Sequence, residues 1–357
     1  MKYQVGNNKD INVEINTDIF KLLYPNSNDA LSEMTNSDRI YLMMLLKNYY
    51  LEYRDKLNID KDATFGLEIE FEEAYRDLIE LNIYSMFDDW MIADDGSLSN
   101  GGEVKSPVLS DTKKTWIDLD SVCNIVNNNA YVLDNTSAHV HIGMQILGNN
   151  PKYWYNFALL WMTYENVISR FLYGEYVSAR PRIMEFAPPI SKDLIDDLDR
   201  LKRCTNKVTA LYILKVLDGG RGRHQSVNFT NIADANKVPL YKYNTVMNKN
   251  TIEFRGANGT FNPIIWQNNV NLLVKLLEYA KSSNFNEEVI IQRLKEIIQE
   301  DIPSNLDKYN RIYIDEALEL ADLIFTNNLD KVYFLRQYIK SGEVSTKPLV
   351  KSKRFTM

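Results

Sequence analysis

The sequence predicts an α+β fold, in which a twisted, mainly antiparallel sheet packs against helices and is followed by a helical C-terminal extension. Two patterns carry this prediction. Between residues 63 and 262, short segments alternate between apolar and polar residues and are separated by Gly, Asn and Asp, which is typical of half-buried strands. After Pro263 the apolar residues recur at helical spacing to near the end of the chain.

Helices are also predicted before and within the strand-rich section. The apolar spacing indicates a helix over residues 38–57. A second helix is expected from Pro151, which suits the first helical position, to Gly174, which suits a left-handed cap. A third follows Ser191 in the segment SKDLIDDLDRLKR. These last two are the helices expected to interrupt the strands.

The chain is expected to form one body with helical additions, because no internal repeat and no long Pro-, Gly- or Ser-rich linker divides it. We expect an N-terminal helical flank over residues 1–62, a central domain over 63–285 and a helical extension over 286–357 packed on the same body. The apolar C-terminal helices could pack internally or between subunits, so the sequence leaves a homo-oligomer open.

Composition excludes several classes of protein. The 357 residues are 45% hydrophobic and 25% charged, and a net charge of -7 makes nucleic acid a poor partner. The two cysteines cannot form a disulfide framework, and neither belongs to a CxxC pair. The N-terminus lacks the features of a signal peptide, and the densest apolar run, FALLWM, is too short to span a bilayer. We therefore expect a soluble cytoplasmic protein without a membrane partner.

Charged side chains alternate with buried ones in several of the predicted strands. In TFGLEIEF, residues 64–71, one face is entirely apolar and the other presents Glu68 and Glu70. The same design recurs in AHVHIG, TIEFRG, SVNFT and GGEVKSP. Their polar faces offer, in that order, His139 and His141, Glu253 and Arg255, Asn228, and Glu103.

A single segment of this kind is explained equally well as an amphipathic strand with one wet face. Taken together, the segments favour a site, because so many carboxylates on one surface repel each other unless cations neutralise them. Magnesium or manganese is the natural cation, since hard divalent ions prefer carboxylate oxygen and tolerate an occasional imidazole. The chain lacks a zinc-protease helix motif, a P-loop and a dinucleotide fingerprint.

The order FGLEIEFE, DDGSLSNGGEVKSP, SAHVHIG, VNF and TIEFRGANGTFNP resembles the amidoligase family, a branch of the carboxylate–amine ligases. Members share the catalytic fold of glutamine synthetase and glutamate–cysteine ligase. The resemblance covers roughly residues 63–280. It implies a glutamine-synthetase-like sheet and a catalytic amidoligase-like domain over residues 63–285.

The resemblance also implies roles for individual residues. The metal ligands would be Glu68, Glu70, Glu103, His139 and Glu253. His139 would also lie near the nucleotide phosphate, His141 close to substrate or ATP, and Arg255 opposite the transferred phosphoryl group. Asp95 would be a further ligand or a turn residue, and the sequence leaves both readings open.

Two arginine-rich segments add candidates. SARPRIMEF places Arg180 and Arg182 after a helix, where they could clamp a substrate carboxylate or simply lie on the surface; Arg182 is taken as the catalytic candidate. DGGRGRHQS combines a glycine-rich loop with Arg221 and Arg223, which are candidates to bind nucleotide phosphate together with Asn228. That loop could equally be a disordered turn.

The expected activity is therefore ATP-dependent joining of a carboxylate to an amine through an acyl phosphate. ATP and Mg²⁺, or Mn²⁺, are the expected cofactors, and the substrates are an amino acid, peptide or protein that supplies a carboxylate and an amine. One alternative is phosphotransfer without ligation, as in guanidino kinases, which are built on a related fold. Another is a non-catalytic binding or assembly protein that retains the fold.

Overall fold

The computed structural model describes residues 34–217, 223–232, 250–299 and 309–340. Within these ranges the strands are β1 (Phe65–Phe71), β2 (Met91–Ala93), β3 (Gly102–Lys105), β4 (Ser137–Gly143), β5 (Val227–Asn228) and β6 (Thr251–Asn258). They form one sheet in the order β2-β3-β1-β4-β6-β5, and every pair is antiparallel. The predicted α+β class and antiparallel sheet are confirmed.

The described helices precede, interrupt and follow the sheet. They are α1 (Asn36–Lys47), α2 (Arg76–Met86), α3 (Lys113–Asn129), α4 (Pro151–Leu172), α5 (Ile183–Phe186), α6 (Ser191–Lys202), α7 (Lys207–Lys215), α8 (Pro263–Lys281), α9 (Glu287–Gln299), α10 (Ile314–Ile324) and α11 (Asn328–Ile339). None of the helices in the described part of the chain is both long enough and apolar enough to cross a membrane.

The longest helices cover the apolar face of the sheet. Helix α4 packs against β6, and α8 packs against β4 and α4. Phe254 of β6 lies 5.4 Å, between ring centroids, from Trp161 of α4 and meets Phe157 edge-on at 6.1 Å. One hydrophobic core runs from Leu42 in α1 to Ile339 in α11. The helices therefore fix the position of the strands from one side, and the polar residues of the strands face the other.

Alternation along each strand gives the sheet two chemically different faces. The apolar residues of β1 are at most 2% exposed and belong to the core. Close packing requires the glycine pair at the start of β3. A Cβ on Gly101 would lie 2.2 Å from the carbonyl oxygen of Phe71, and a Cβ on Gly102 would lie 2.8 Å from the carbonyl oxygen of Ala93. The backbone that approaches these glycines belongs to the neighbouring strands.

A β-bulge interrupts the pairing of β4 with β6 beside the polar face. Ala138 pairs with Ala257 and Val140 with Phe254, so two residues of β6 lie opposite His139. A bulge bends its strand and redirects the neighbouring side chains. The sequence analysis did not predict this irregularity.

The strand-rich section contains more helix than the sequence analysis predicted. Helices α2, α3, α5 and α7 were missed, whereas α4 and α6 were predicted correctly. In α3 the signal was present, because its buried residues recur every three or four positions. They are Thr115, Trp116, Leu119, Val122, Cys123 and Val126.

The first predicted helix ends ten residues early, at Lys47 rather than at residue 57. Beyond it, the backbone is used in tertiary contacts. The carbonyl oxygen of Tyr49 accepts a hydrogen bond from Arg336 Nε, and the guanidinium of Arg54 pairs with Asp330 at 2.6 Å. The hydrogen bond to Tyr49 uses a backbone carbonyl that a longer helix would have used, and the ion pair of Arg54 holds the segment against α11, so tertiary structure overrides the local propensity.

Candidate functional site

The strand register brings the polar residues of five strands onto one face of the sheet. Glu70 of β1 lies opposite Glu103 of β3, and Glu68 lies opposite His139 of β4. The next pairing places His141 opposite Glu253 of β6, and Asn228 of β5 also lies opposite Glu253. Residues directly opposite on antiparallel strands are close neighbours, so residues far apart in the sequence form one cluster.

This polar face is buried. The residues that carry its carboxylates, imidazoles and guanidinium are at most 9% exposed: Glu68, Glu70, Glu103, His139, His141, Glu253 and Arg255. The explanation that each segment is an amphipathic strand with one solvent-exposed face is therefore excluded. Buried charges of one sign are unfavourable unless they are paired or hydrogen-bonded, so the contacts of each carboxylate decide what the site can bind.

His139 is held at both ring nitrogens. Its Nε2 lies 2.8 Å from the Oγ of Ser137, and its Nδ1 lies 3.2 Å from Glu68 Oε2. Glu70 Oε1 is 3.6 Å from Nε2, and Glu253 Oε1 is 3.9 Å from Nδ1. His139 therefore lies at the centre of the carboxylates with its hydrogen-bonding groups already engaged.

His141 is held at one nitrogen only. Its Nδ1 lies 3.0 Å from Thr251 Oγ1. The other nitrogen, Nε2, is buried and has no hydrogen-bond partner, although Glu68 Oε1 is 3.2 Å away. Three potential ligand atoms lie within 4.8 Å of one another, one from each of Glu68, His141 and Glu253. These three residues could therefore share one metal ion.

Glu253 is fixed by neutral donors and by one cation. Its Oε2 accepts hydrogen bonds of 2.7 Å from the side-chain amides of Asn228 and Asn231, and its Oε1 accepts a short one from Arg255. Burial raises the pKa of Glu253, but Arg255, His139 and the neighbouring imidazole outweigh it and lower this pKa to about 2. Glu253 is therefore charged at neutral pH and ready to bind a cation.

The pKa values of two other carboxylates shift in opposite directions. Burial raises the pKa of Glu68, but the neighbouring imidazoles of His139 and then His141 hold it well below its usual range. Burial raises the pKa of Glu103 above its usual range, the negative charge of Glu68 adds to this, and the ammonium of Lys105 opposes it. The positively charged groups on this face therefore neutralise its negative charge only in part.

Glu70 and Glu103 form a second group beside the first. Glu70 Oε2 accepts a 2.7 Å hydrogen bond from the backbone N–H of Ser137. Glu103 Oε1 lies 2.6 Å from the ammonium of Lys105, which is the next residue but one on the same strand. Each of these carboxylates has one oxygen committed to a donor, and they are directly opposite in the register.

Two buried arginines border the cluster at the bulge. Arg255 donates to Glu253, and its Nε has no partner. Arg180 is 2% exposed and donates to the backbone carbonyls of Ala257 at 2.5 Å and Arg255 at 3.0 Å. Burial lowers the pKa of Arg180 to about 10, while the charge of Glu70 opposes that shift. Arg180 therefore clamps the strand that carries Glu253 and Arg255.

Arg182 is placed differently from Arg180. Its guanidinium is exposed, makes two hydrogen bonds to Glu185, of 2.8 and 2.6 Å, and lies 4.5 Å from the ring centroid of Phe186. The charge of Arg182 is thus used within its own short helix. Of the two arginines in SARPRIMEF, Arg180 is the one that the structure brings to the cluster.

The remaining predicted residues that the structure describes are Arg223, Asp95 and Asn228, and they differ in exposure. Arg223 is exposed. Burial raises the pKa of Asp95, but the hydrogen bonds from Ser97 lower it below its usual value, and the charge of Arg223 contributes to this lowering. Asp95 Oδ1 accepts from the backbone N–H and the hydroxyl of Ser97, which is the pattern of a turn residue. Asn228 supports Glu253 and Thr230. Arg221 lies outside the described residues.

The sequence analysis missed several residues that support the cluster. Ser137, Thr251 and Lys105 could have been found, because each lies two positions from a predicted site residue and therefore on the same strand face. Asn231 lies beyond the end of β5, in a segment without alternation, so no periodic signal could indicate its contact with Glu253.

Comparison with known proteins supplies a family. No curated protein matches the chain. The family model described as "Putative amidoligase enzyme" matches residues 61–277, which is more than half of the chain and includes every described strand and the whole polar face. The expected resemblance is thereby confirmed, and the chain belongs to this amidoligase family of enzymes.

Proposed function

We propose that this protein is an ATP-dependent carboxylate–amine ligase that forms an amide or peptide bond through an acyl phosphate. The observation that carries the proposal is the buried face on which four carboxylates, two imidazoles and an arginine converge from four neighbouring strands. The family points to a ligase in general. The residues on this face suit phosphoryl transfer to a carboxylate, which is the step that makes amide formation feasible in water.

The donor set fits a hard divalent cation. His141 Nε2 is buried without a partner beside Glu68 and Glu253, and oxygen with an occasional imidazole is the ligand set that Mg²⁺ and Mn²⁺ accept. Glu68, His141 and Glu253 would hold one ion, and Glu70 with Glu103 would provide oxygens for another. Bound there, the ions would neutralise phosphate charge. His139, whose ring nitrogens are engaged, would orient Glu68.

Phosphoryl transfer depends on charge neutralisation and in-line positioning more than on covalent catalysis. Arg255 would pair with the transferred phosphoryl group, and its planar guanidinium suits a phosphate better than an ammonium does. Arg180 would hold the strand that carries Arg255, through its hydrogen bonds to the backbone of β6. Arg223 lies at the rim, where it could contact the outer phosphates of ATP.

The reaction would proceed in two steps on this face. The substrate carboxylate attacks the γ-phosphorus of ATP, which breaks the bond to the β-phosphate oxygen and releases ADP. The amine then attacks the acyl carbon, loses a proton and expels inorganic phosphate. We also propose that the sheet is of the glutamine-synthetase-like catalytic type, because the family match covers every described strand and the acidic residues lie together on one face of the antiparallel sheet.

A hydroxylamine trap tests the proposal. The purified full-length chain is incubated with Mg-ATP, hydroxylamine and pools of amino acids and peptides, and hydroxamate, ADP and AMP are measured. Hydroxamate together with ADP is the expected result, because hydroxylamine intercepts an acyl phosphate. Glu253→Gln should abolish both products, whereas Glu185→Gln, which alters an exposed carboxylate, should leave them unchanged.

Other outcomes identify the alternatives. ADP with a stable phosphorylated product and no hydroxamate would support a phosphotransferase. AMP in place of ADP would exclude the acyl-phosphate route. A chain that binds neither Mg²⁺ nor Mg-ATP in calorimetry would be a binding or assembly protein that retains the fold.

A further inference from the structure

A small cavity lies among the helices. Its volume is about 230 Å³, and it is bordered by the segment after α1, the C-terminal end of α4, the beginning of α8 and the end of α11. No residue of the acidic face lines it. The volume is below the range of about 300–1,000 Å³ for pockets that hold drug-sized ligands, so any ligand must be small.

Lys340 brings a buried ammonium to this cavity. The residue is 3% exposed, and its Nζ donates one hydrogen bond, of 2.5 Å, to the carbonyl oxygen of Gly174. A lysine ammonium has three donors, so this contact leaves the others unused by the described protein. Burial, and then the nearby charges of Arg170 and Arg336, hold the pKa of Lys340 well below its usual range.

Arg336 adds a second cation. Its Nε donates to the carbonyl oxygen of Tyr49 at 2.8 Å, and its two terminal amino groups have no hydrogen-bond or ion-pair partner among the described residues. Arg336 is one of the residues that line the cavity. A guanidinium presents its terminal donors as a planar fork that matches a carboxylate, and this fork is available to a ligand.

The charges around the cavity do not balance. Among the described lining residues, Glu175 is the one acidic residue, whereas Arg336 and Lys340 are both basic. A further basic residue, Arg170, is buried nearby. Burial raises the pKa of Glu175, with Asn262, Lys340 and Thr260 opposing the shift, so its negative charge is itself disfavoured. Unpaired buried cations are unfavourable, and an anionic ligand would relieve this imbalance.

The backbone of Lys340 is strained. Its φ of 71° and ψ of 159° fall in a region that is almost restricted to glycine. Such a conformation is unfavourable for any residue but glycine and persists where the surrounding structure requires it. Here it places the buried ammonium at the cavity, and strain of this kind is concentrated at ligand-binding positions.

We propose that this cavity binds a free amino acid, whose carboxylate pairs with Arg336 and Lys340 while its ammonium pairs with Glu175. The carboxylate supplies the missing negative charge, and the amino group gives Glu175 a cationic partner. The small volume limits the ligand to a single amino acid. The site is separate from the acidic face, so it does not depend on the proposed ligase activity.

Isothermal titration calorimetry of the full-length chain tests the site. The probes are the free amino acids, the corresponding amino-acid amides and inorganic phosphate. At least one amino acid should bind, and its amide, which lacks the carboxylate charge, should bind at least tenfold more weakly. Arg336→Gln should weaken binding at least tenfold, whereas Arg311→Gln, which alters an exposed arginine, should leave it unchanged.

Two further variants distinguish binding in this cavity from binding at the acidic face. Lys340→Gly removes the ammonium but accepts the unusual φ, so it should fold normally, as judged by circular dichroism, and lose binding. Glu253→Gln alters the acidic face and should keep it. Absence of binding by every amino acid, undiminished binding in Arg336→Gln and Lys340→Gly, loss confined to Glu253→Gln, or equal binding of phosphate would overturn the proposal.

Discussion

Two buried acidic regions of this protein solve the same electrostatic problem differently. Glu165 of α4 is 1% exposed and accepts hydrogen bonds from Trp161 Nε1, the backbone N–H groups of Ile190 and Ser191, and the hydroxyls of Ser191 and Ser226. Its oxygens are saturated by neutral protein donors. This carboxylate therefore holds together α4, the start of α6 and the segment before β5.

The acidic face of the sheet is equally buried but is left incomplete. His141 Nε2 has no hydrogen-bond partner. Burial, and then the negative charge of Glu68, raises the pKa of Glu103. A structural carboxylate is satisfied within the protein, whereas a binding site keeps capacity for a ligand. Burial alone cannot distinguish the two roles, and the partners of each oxygen can.

The largest expected effect tests the structural side of the comparison. Glu165→Ala removes the acceptor of several buried donors, and each unsatisfied donor costs about 1–3 kcal/mol. We expect a loss of about 3 kcal/mol or more in the free energy of unfolding, measured by urea denaturation. Glu185→Gln is the surface control and should leave the denaturation midpoint unchanged. A midpoint for Glu165→Ala equal to that of the wild type would show that its hydrogen bonds are unimportant.

The next effect tests the acidic face with metal. At Mg²⁺ or Mn²⁺ concentrations about 100-fold above Kd, the free energy of unfolding should rise by about 2.7 kcal/mol. Glu68→Gln should lose this gain, and EDTA should reverse it in the wild type. The measurement is urea denaturation with and without the ion, and an equal gain in Glu68→Gln would contradict the assignment of Glu68 as a ligand.

The two histidines should differ in their effects. His141→Asn removes a proposed ligand, whereas His139→Asn removes a residue that orients Glu68, a change that typically weakens metal binding by about 10- to 100-fold. We therefore expect His141→Asn to weaken Mn²⁺ binding more than His139→Asn in calorimetry. The reverse order would assign the ligand to His139, as the sequence analysis expected.

The smallest effect concerns Glu103 and depends on pH. Because burial and Glu68 raise its folded-state pKa, Glu103 destabilises the metal-free protein once pH exceeds its unfolded-state pKa, and the penalty is complete above the folded-state pKa. Glu103→Gln should therefore stabilise the metal-free protein at pH 7, and the difference should vanish below the unfolded-state value. Urea denaturation at pH 7 and pH 4 measures this, and a difference that grows on acidification would refute it.

The sequence by itself determined five of the six described strands, all but β2, and the chemistry of their faces. Alternation predicted which residues of TFGLEIEF are buried in the core and which carry the carboxylates, because side chains in a strand point alternately to its two faces. The order of these segments was enough to indicate the amidoligase family, which the family match confirms. Helix α3 was missed although its apolar spacing was present.

Only the tertiary structure decided how these residues combine. The bulge opposite His139, the contact of Asn231 with Glu253 and the lack of a hydrogen bond to His141 Nε2 depend on strand pairing and loop placement. The same holds for Arg180, which is buried against β6 while Arg182, two residues away, is exposed. Local sequence specifies which face a side chain lies on, but the partners of a buried polar group come from distant segments, and they decide whether that group is saturated or left free to bind.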